Sequence, residues 1–390
     1  MKVIVSAGGR FHAHRLAQQL AQRNALQRLY TFDYARIDQS IVAPHHVKVA
    51  AVCKALDQTF RRLQLQQFIN RARFNAFKDG LFDTFVSRKL ADEPACDLLV
   101  VWAHYALDSL QQARAKGAKI VLESGSCHVT AQDYLVQQEY SQYDLPFPSF
   151  NAAVRQKTLL EYATADHIMV PSTFARDSFI ANGIAPEKVV AVPYGVDIAF
   201  FTPAMTAAKP ERFIALFVGM VSLQKGIHYL LEAWQRAQLP SSNCTLWIVG
   251  NKQKDFLSVV DRLPLAANVT FLGGVSRQQL QQLYHQASVF VLPSVQEGFG
   301  LVLGEAMASG LPLIASTHSG APDLITHQHE GFLYNPYDTS ALAQHLTWCY
   351  NNQSAAADMG MIGAATIQKF TWQHYGQQVY DHYKTFLGHD

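Results

Sequence analysis

Short apolar runs alternate with longer mixed stretches along this chain, and each change of period marks an element. Residues 3–6, 28–32, 97–102, 118–122, 166–170 and 189–192 read as strands of the first half. A Gly8-Gly9-Arg10 loop leads from the first strand into a helix over 12–23, and a helix over 106–116 is stopped by Gly117. Prolines and a glycine break the pattern over 193–210, which reads as a linker. The alternation then restarts, with strands over 213–218, 245–249, 269–272, 289–292 and 313–315 and a helix over 227–237. Ser276-Arg-Gln-Gln279 is a capping box that opens a helix to about residue 287, and aromatics at helical spacing mark a last helix over 372–386. Strands alternating with helices form parallel, doubly wound sheets. The expected fold is therefore α/β, with two Rossmann-like domains facing one another across a cleft. The expected division is 1–200, 201–370 and a C-terminal helix over 371–390 that crosses back to the first domain.

Composition narrows the class. A chain of 390 residues, 49% hydrophobic and 16% charged, has ample material for two cores. The first eight residues are too short for a signal peptide, and no stretch is long and apolar enough to span a bilayer. Cys53, Cys96, Cys127, Cys244 and Cys349 are scattered without a CxxC, which fits a reducing cytosol and no zinc site. His12/His14, His45/His46 and His327/His329 lack a metal-ligand context and read as surface histidines.

Charge is uneven. Residues 1–90 hold fifteen basic and five acidic side chains, against a net charge of only +2 for the whole chain. In an insert over about 36–93, Arg61, Arg62, Arg71, Arg73, Lys78, Arg88 and Lys89 interleave with phenylalanines and leucines. Two readings stand: a basic amphipathic surface for an anionic membrane, or a helix pair whose apolar faces pack inward. No recognition motif accompanies the charge, so nucleic acid is not an expected partner.

The densest chemistry lies in Glu297-Gly-Phe-Gly300-Leu301-Val-Leu-Gly-Glu305. A strand ends at residue 292, a glycine loop follows and a helix begins, which is the geometry that α/β proteins use to hold phosphate. Its first-turn N–H groups carry the positive end of the helix dipole. Glu305 alone is an ordinary acidic residue in an early turn. Within this string, both carboxylates suit sugar or ribose hydroxyls, since an ionised carboxylate only accepts hydrogen bonds. A second strand-to-helix loop, Gly219-Met220-Val-Ser-Leu-Gln-Lys225-Gly226, offers a lysine suited to a diphosphate.

Together with Pro193-Tyr-Gly-Val-Asp197, Phe201-Thr-Pro203, Val269–Gly273, Pro293-Ser294 and Gly320-Ala-Pro-Asp323, these strings resemble the retaining GT-B glycosyltransferases of family 4. The resemblance implies a GT-B fold with acceptor binding in the first domain and nucleotide-sugar binding in the second. It implies that Lys225 binds the donor diphosphate and Glu305 the ribose. Glu297 and the amides of Gly298, Phe299, Gly300 and Leu301 would hold the donor sugar and phosphates. Gly9 and Gly219 would let the backbone approach closely, and His128 would stand near the sugar as a catalytic histidine. Without the resemblance, His128 is a polar loop residue. One departure matters: the family carries arginine where this chain has Met220, and Arg10 is the candidate substitute.

The expected reaction is transfer of a hexosyl unit, with retention and without metal or cofactor, from a UDP- or GDP-sugar to a saccharide or lipid-linked acceptor. The expected setting is cell-surface polysaccharide or glycolipid synthesis in the cytoplasm, peripheral on the membrane. The chain has no Asp-x-Asp motif, which agrees with metal independence. A nucleotide-sugar epimerase or phosphorylase and a non-catalytic nucleotide-sugar binder are the alternatives. A dinucleotide oxidoreductase lacks its Gly-x-Gly-x-x-Gly spacing.

Overall fold

The structure is a computed structural model that describes every residue except 10–11, 35–36, 64, 66–70, 148, 150–151, 204–211 and 389–390, with only the backbone for 61, 71 and 72. Seven strands form the first sheet: β1 (Val3–Ala7), β2 (Leu26–Thr31), β3 (Val47–Val49), β4 (Leu98–Trp102), β5 (Lys119–Glu123), β6 (His167–Val170) and β7 (Val189–Ala191). Six form the second: β8 (Phe213–Val218), β9 (Cys244–Val249), β10 (Val269–Gly273), β11 (Val289–Leu292), β12 (Leu313–Ser316) and β13 (Gly331–Tyr334). The orders are β3-β2-β1-β4-β5-β6-β7 and β10-β9-β8-β11-β12-β13, with every pairing parallel. These are the two doubly wound α/β halves of the GT-B fold.

The central strands are apolar throughout because helices cover both faces. Leu98–Trp102 and Phe213–Val218 are buried at every position. The direction of winding reverses between β1 and β4 and again between β8 and β11. Loops leaving those carboxyl ends line a crevice in each half.

The C-terminal helix Trp372–Leu387 returns to the first half and packs on the helix Ala13–Gln22. Gly376 makes that approach possible, since a Cβ there would sit 2.5 Å from Gln19 side-chain atoms. At its far end Phe386 stacks on His167 at 3.7 Å.

The basic insert resolves into the edge strand β3 and two helices, Ala51–Arg62 and Arg71–Asp92. Phe60, Phe82, Val86 and Leu90 turn inward and are buried, so the inward-packing reading describes these faces. Asp83, fully buried, accepts from the backbone N–H groups of Asp108 and Ser109 at 2.9 Å and from Lys157 at 2.9 Å. It thereby caps the helix Leu107–Ala115, whose own N-cap Ala106 has no side chain for the task. Phe68 and Ile69 lie outside the described residues.

Two helices carry no clear sequence signal, Val129–Ser141 and Ala152–Thr164. The histidine reading needs a correction at one pair. His12 and His14 are buried, and His12 Nε2 lies 3.1 Å from Glu123 Oε2 in the first half's core. The tight packing of the N-terminal helix against the C-terminal one leaves these side chains no route to solvent. All five cysteines are free.

Candidate active site

Two loops at the carboxyl ends of β8 and β11 build the site. The first runs from Gly219 to Gly226 and the second from Pro293 to Gly300. They are zipped together by backbone: Val295 N donates to Gln224 O at 3.0 Å. Gly226 has φ +68°, and a Cβ there would lie 1.9 Å from Pro293 O, so only glycine permits the approach. The result brings Lys225 Nζ into an ion pair with Glu297 Oε2, both side chains mostly buried.

Gly300 (φ +86°) then turns the chain into the helix Leu301–Ala308. A helix leaves its first-turn N–H groups without intrahelical partners, so that turn is electropositive. Phe299 presents only its backbone here, because its ring is buried 5.4 Å from Tyr194. One turn into the helix, Glu305 accepts from the Tyr284 hydroxyl at 3.0 Å. Burial raises its pKa, opposed by that hydrogen bond and by Arg277. Glu305 lines a pocket of about 180 Å³ shared with Arg15, Arg277, Leu301 and Trp372. Asp197 at its edge accepts from both Arg15 (2.8 Å) and Arg277 (2.6 Å), joining the two halves.

The first half meets these loops, and Asp323 further along the chain, through hydrogen bonds. Ser172 Oγ donates to Gly298 O at 2.6 Å, Gln296 Nε2 to Ser126 Oγ at 2.8 Å, and Thr173 N to Asp323 Oδ2 at 2.9 Å. To one side, buried Glu139 meets buried His228 at 2.7 Å, a link between halves with no trace in the sequence pattern.

His128 does not join the Lys225–Glu297 pair. It is buried at the start of the helix Val129–Ser141, where Nδ1 accepts from Thr130 N at 3.2 Å. Its ring packs 5.0 Å from Tyr162 and 5.2 Å from Phe179. Burial, helped by Arg155, lowers its pKa to about 4. His104 is lowered to about 4 by burial and by Lys157. Both histidines take up protons more readily when unfolded, so the unfolded chain gains protons first as the pH falls. Their contribution to stability is therefore full above about pH 6.5 and declines as the pH falls from there towards 4, while the buried carboxyls of Asp79 and Glu161, raised to about 7 by burial, contribute in the opposite sense. Asparagine at position 128 keeps a cap acceptor and removes the His128 titration. His128→Asn should therefore raise the melting temperature at pH 4 relative to that at pH 6.5, compared with the wild type, read by circular dichroism at several pH values. An unchanged slope would refute the assignment.

Gly9 lines a pocket with Gly8 and other first-half residues, while Arg10 lies outside the described residues. Gly219 takes φ +157°, and Met220 beside it is half exposed. No helix among the described residues is long and apolar enough to cross a membrane.

Two family models match the chain almost end to end: "Glycosyltransferase Family 4" over residues 7–200 and "Glycosyl transferases group 1" over residues 201–365. Among curated relatives, D-inositol 3-phosphate glycosyltransferase of Mycolicibacterium gilvum is 30% identical over 61% of this chain and 57% of its own length. Sulfoquinovosyl transferase of Arabidopsis thaliana is 27% identical over 54% of this chain and 43% of its own. The chain thus spans about half the length of these relatives. Among solved structures, Anabaena HepE in complex with UDP superposes with a TM-score of 0.68 at 21% identity, covering 99% of this chain and 100% of that one. Sucrose-phosphate synthase from Thermosynechococcus elongatus gives 0.69 at 20% identity, covering 100% of both. This chain belongs to the group 1 glycosyltransferases of family 4.

Proposed function

We propose that the chain transfers a hexosyl unit, with retention and without a metal, from a UDP- or GDP-sugar to a saccharide or lipid-linked acceptor. The observation that carries this reading is the Lys225–Glu297 pair beside the start of the helix Leu301–Ala308. A diphosphate entering there competes with Glu297 for the lysine and gains the helix N-terminus. Glu297, released, accepts hydrogen bonds from the donor sugar, while Glu305 accepts from the ribose. The amides of Gly298, Phe299, Gly300 and Leu301 serve the phosphates. As the bond from C1 to the phosphate oxygen breaks, charge grows on that oxygen, and Lys225 stabilises it. The acceptor hydroxyl forms its bond to C1 on the same face and passes its proton to the departing phosphate. The HepE structure holding UDP-glucose supports a uridine donor for a protein of this fold.

A screen of UDP- and GDP-sugars by calorimetry, followed by detection of slow hydrolysis, tests the proposal. One nucleotide sugar should bind and be hydrolysed with chelator present. Conversion of the sugar without acceptor would instead identify an epimerase. Met220 favours a second reading, a nucleotide-sugar binder without transfer, which tight binding with no hydrolysis and no transfer would support. The proposed setting is cytoplasmic synthesis of surface polysaccharide or glycolipid. Exposed Arg62, Arg73 and Phe77 on the insert helices, with Leu63 just past the first, support a peripheral membrane contact. Failure to bind anionic liposomes at low salt would remove that part.

A further inference from the structure

A pocket of about 530 Å³ opens in the first half at the carboxyl end of β1, where the winding of the sheet reverses. One wall is the Gly8–Gly9 loop after β1, and the other is the insert helices Ala51–Arg62 and Arg71–Asp92. Gly8 presses so closely on Tyr105 and Phe32 that a Cβ would sit 2.7–2.9 Å from their rings, and both rings line the pocket. Two lysines of the basic insert face this pocket, yet each already has a carboxylate partner. Lys54 pairs with Asp33 at 3.4 Å, and Lys78 pairs with Asp57 at 3.3 Å while lying over the Phe32 ring. A third carboxylate, Asp79, has its Oδ1 buried with no hydrogen-bond partner. Burial pushes the Asp79 carboxyl up to about 7 against the pull of Lys78 and Lys157, so both its forms are populated near neutral pH.

These features describe one kind of guest. Among the described residues, a phosphate or carboxylate would have to displace a carboxylate from each ammonium and would meet Asp33, Asp57 and the partly protonated Asp79. An acyl chain would bury the polar wall without satisfying it. A ring rich in hydroxyls can donate to carboxylates, accept from an ammonium and lay its C–H face on an aromatic ring. We infer that this pocket holds the acceptor and selects an uncharged, polyhydroxylated terminus, a hexose or cyclitol ring, over a phosphorylated or carboxylated one. The assignment to the acceptor rests on the glycosyltransferase reading; the ligand class rests on the pocket alone.

The test uses the full chain and ligand-detected saturation-transfer NMR. The probes are methyl α-glucoside, methyl α-mannoside, methyl α-galactoside and myo-inositol, alongside glucose 6-phosphate and myo-inositol 1-phosphate. At least one neutral probe should bind, the phosphates should bind ten-fold more weakly or not at all, and Asp79→Asn should weaken the neutral probe several-fold. Asp57→Asn releases Lys78 and should shift preference towards the phosphates. That gain cannot come from misfolding. Phosphate probes binding better than neutral ones, no probe binding, or indifference to both substitutions would overturn the inference. Nucleotide-sugar binding, measured on the same variants, should stay at its wild-type level. Loss of donor binding in the wild-type chain with neutral probes still bound would sink the transferase reading and leave the pocket's ligand class standing.

Discussion

Lys225→Ala is expected to lower transfer by two to three orders of magnitude while the protein stays folded. In the proposed site Met220 supplies no cation, and Lys225 is held against Glu297 beside the start of the helix Leu301–Ala308. Removing one donor to a developing oxyanion costs about 3–4 kcal/mol in comparable sites, which is the stated loss at about 1.4 kcal/mol per ten-fold. Charge on the leaving phosphate grows along the reaction, so kcat should fall more than donor affinity. The pair is mostly buried, so the substitution leaves Glu297 without its partner and should destabilise the fold by about 1–3 kcal/mol, less than unfolds a chain of this size. Glu297→Ala should also lose transfer. The double variant should lose less than the two single losses combined, as the side chains act on one another. Steady-state kinetics on the three purified proteins, with melting curves as a folding control, decide the matter. Near wild-type turnover in both single variants would sink the site.

How the site was legible follows from where its determinants lie. β8 and the helix Ile227–Ala237 fall where the apolar period puts them, at 213–218 and 227–237. Their signals are local: a run of buried residues, a glycine, a helix start. The Glu297–Glu305 string is local too, since one loop and one helix turn fix both carboxylates. The helix Val129–Ser141 is different. Its buried residues include Asp133 and Glu139, and Glu139 is met by His228 and Tyr229 of the other half. A helix whose inner face is polar has no apolar stripe to read. β3 is a three-residue edge strand, Val-Lys-Val, too short to give a period. Lys78 is one of the basic residues of the insert, and Lys54 carries no signal; both pair with carboxylates, Asp57 and Asp33, partners set by folding rather than by spacing. His12 escaped for the same reason, because Glu123 lies 111 residues away along the chain. His128 shows another limit: the resemblance, not its position, implies chemistry there, and its role as the cap of the helix Val129–Ser141 is set by a backbone N–H that no sequence pattern marks.

Gly298→Ala is expected to cut kcat by about a hundred-fold through the contact between halves rather than through the donor. A Cβ at Gly298 would lie 2.0 Å from Gly125 O, a backbone atom that cannot swing aside. The same loop is pinned by Ser172 donating to Gly298 O at 2.6 Å and by Gln296 reaching Ser126. Relief therefore needs the two halves to separate by an ångström or more at the mouth of the cleft. A misplacement of that size costs on the order of a hundred-fold when the reacting groups sit on opposite walls. Donor affinity should suffer less, because Lys225, Glu297, Glu305 and the Gly298 amide, which alanine keeps, all belong to the second half and shift together. The melting temperature should move little, since neither core is touched. Gly125→Ala is the internal control: it alters the other side of the same contact, but its Cβ would meet only the Tyr194 hydroxyl, at an ordinary 3.5 Å. Kinetics and small-angle scattering on both variants test the asymmetry. Gly298→Ala should expand the molecule and lose turnover, and Gly125→Ala should do neither. A fully active, equally compact Gly298→Ala protein would mean that the reaction does not require the two halves to meet at this loop.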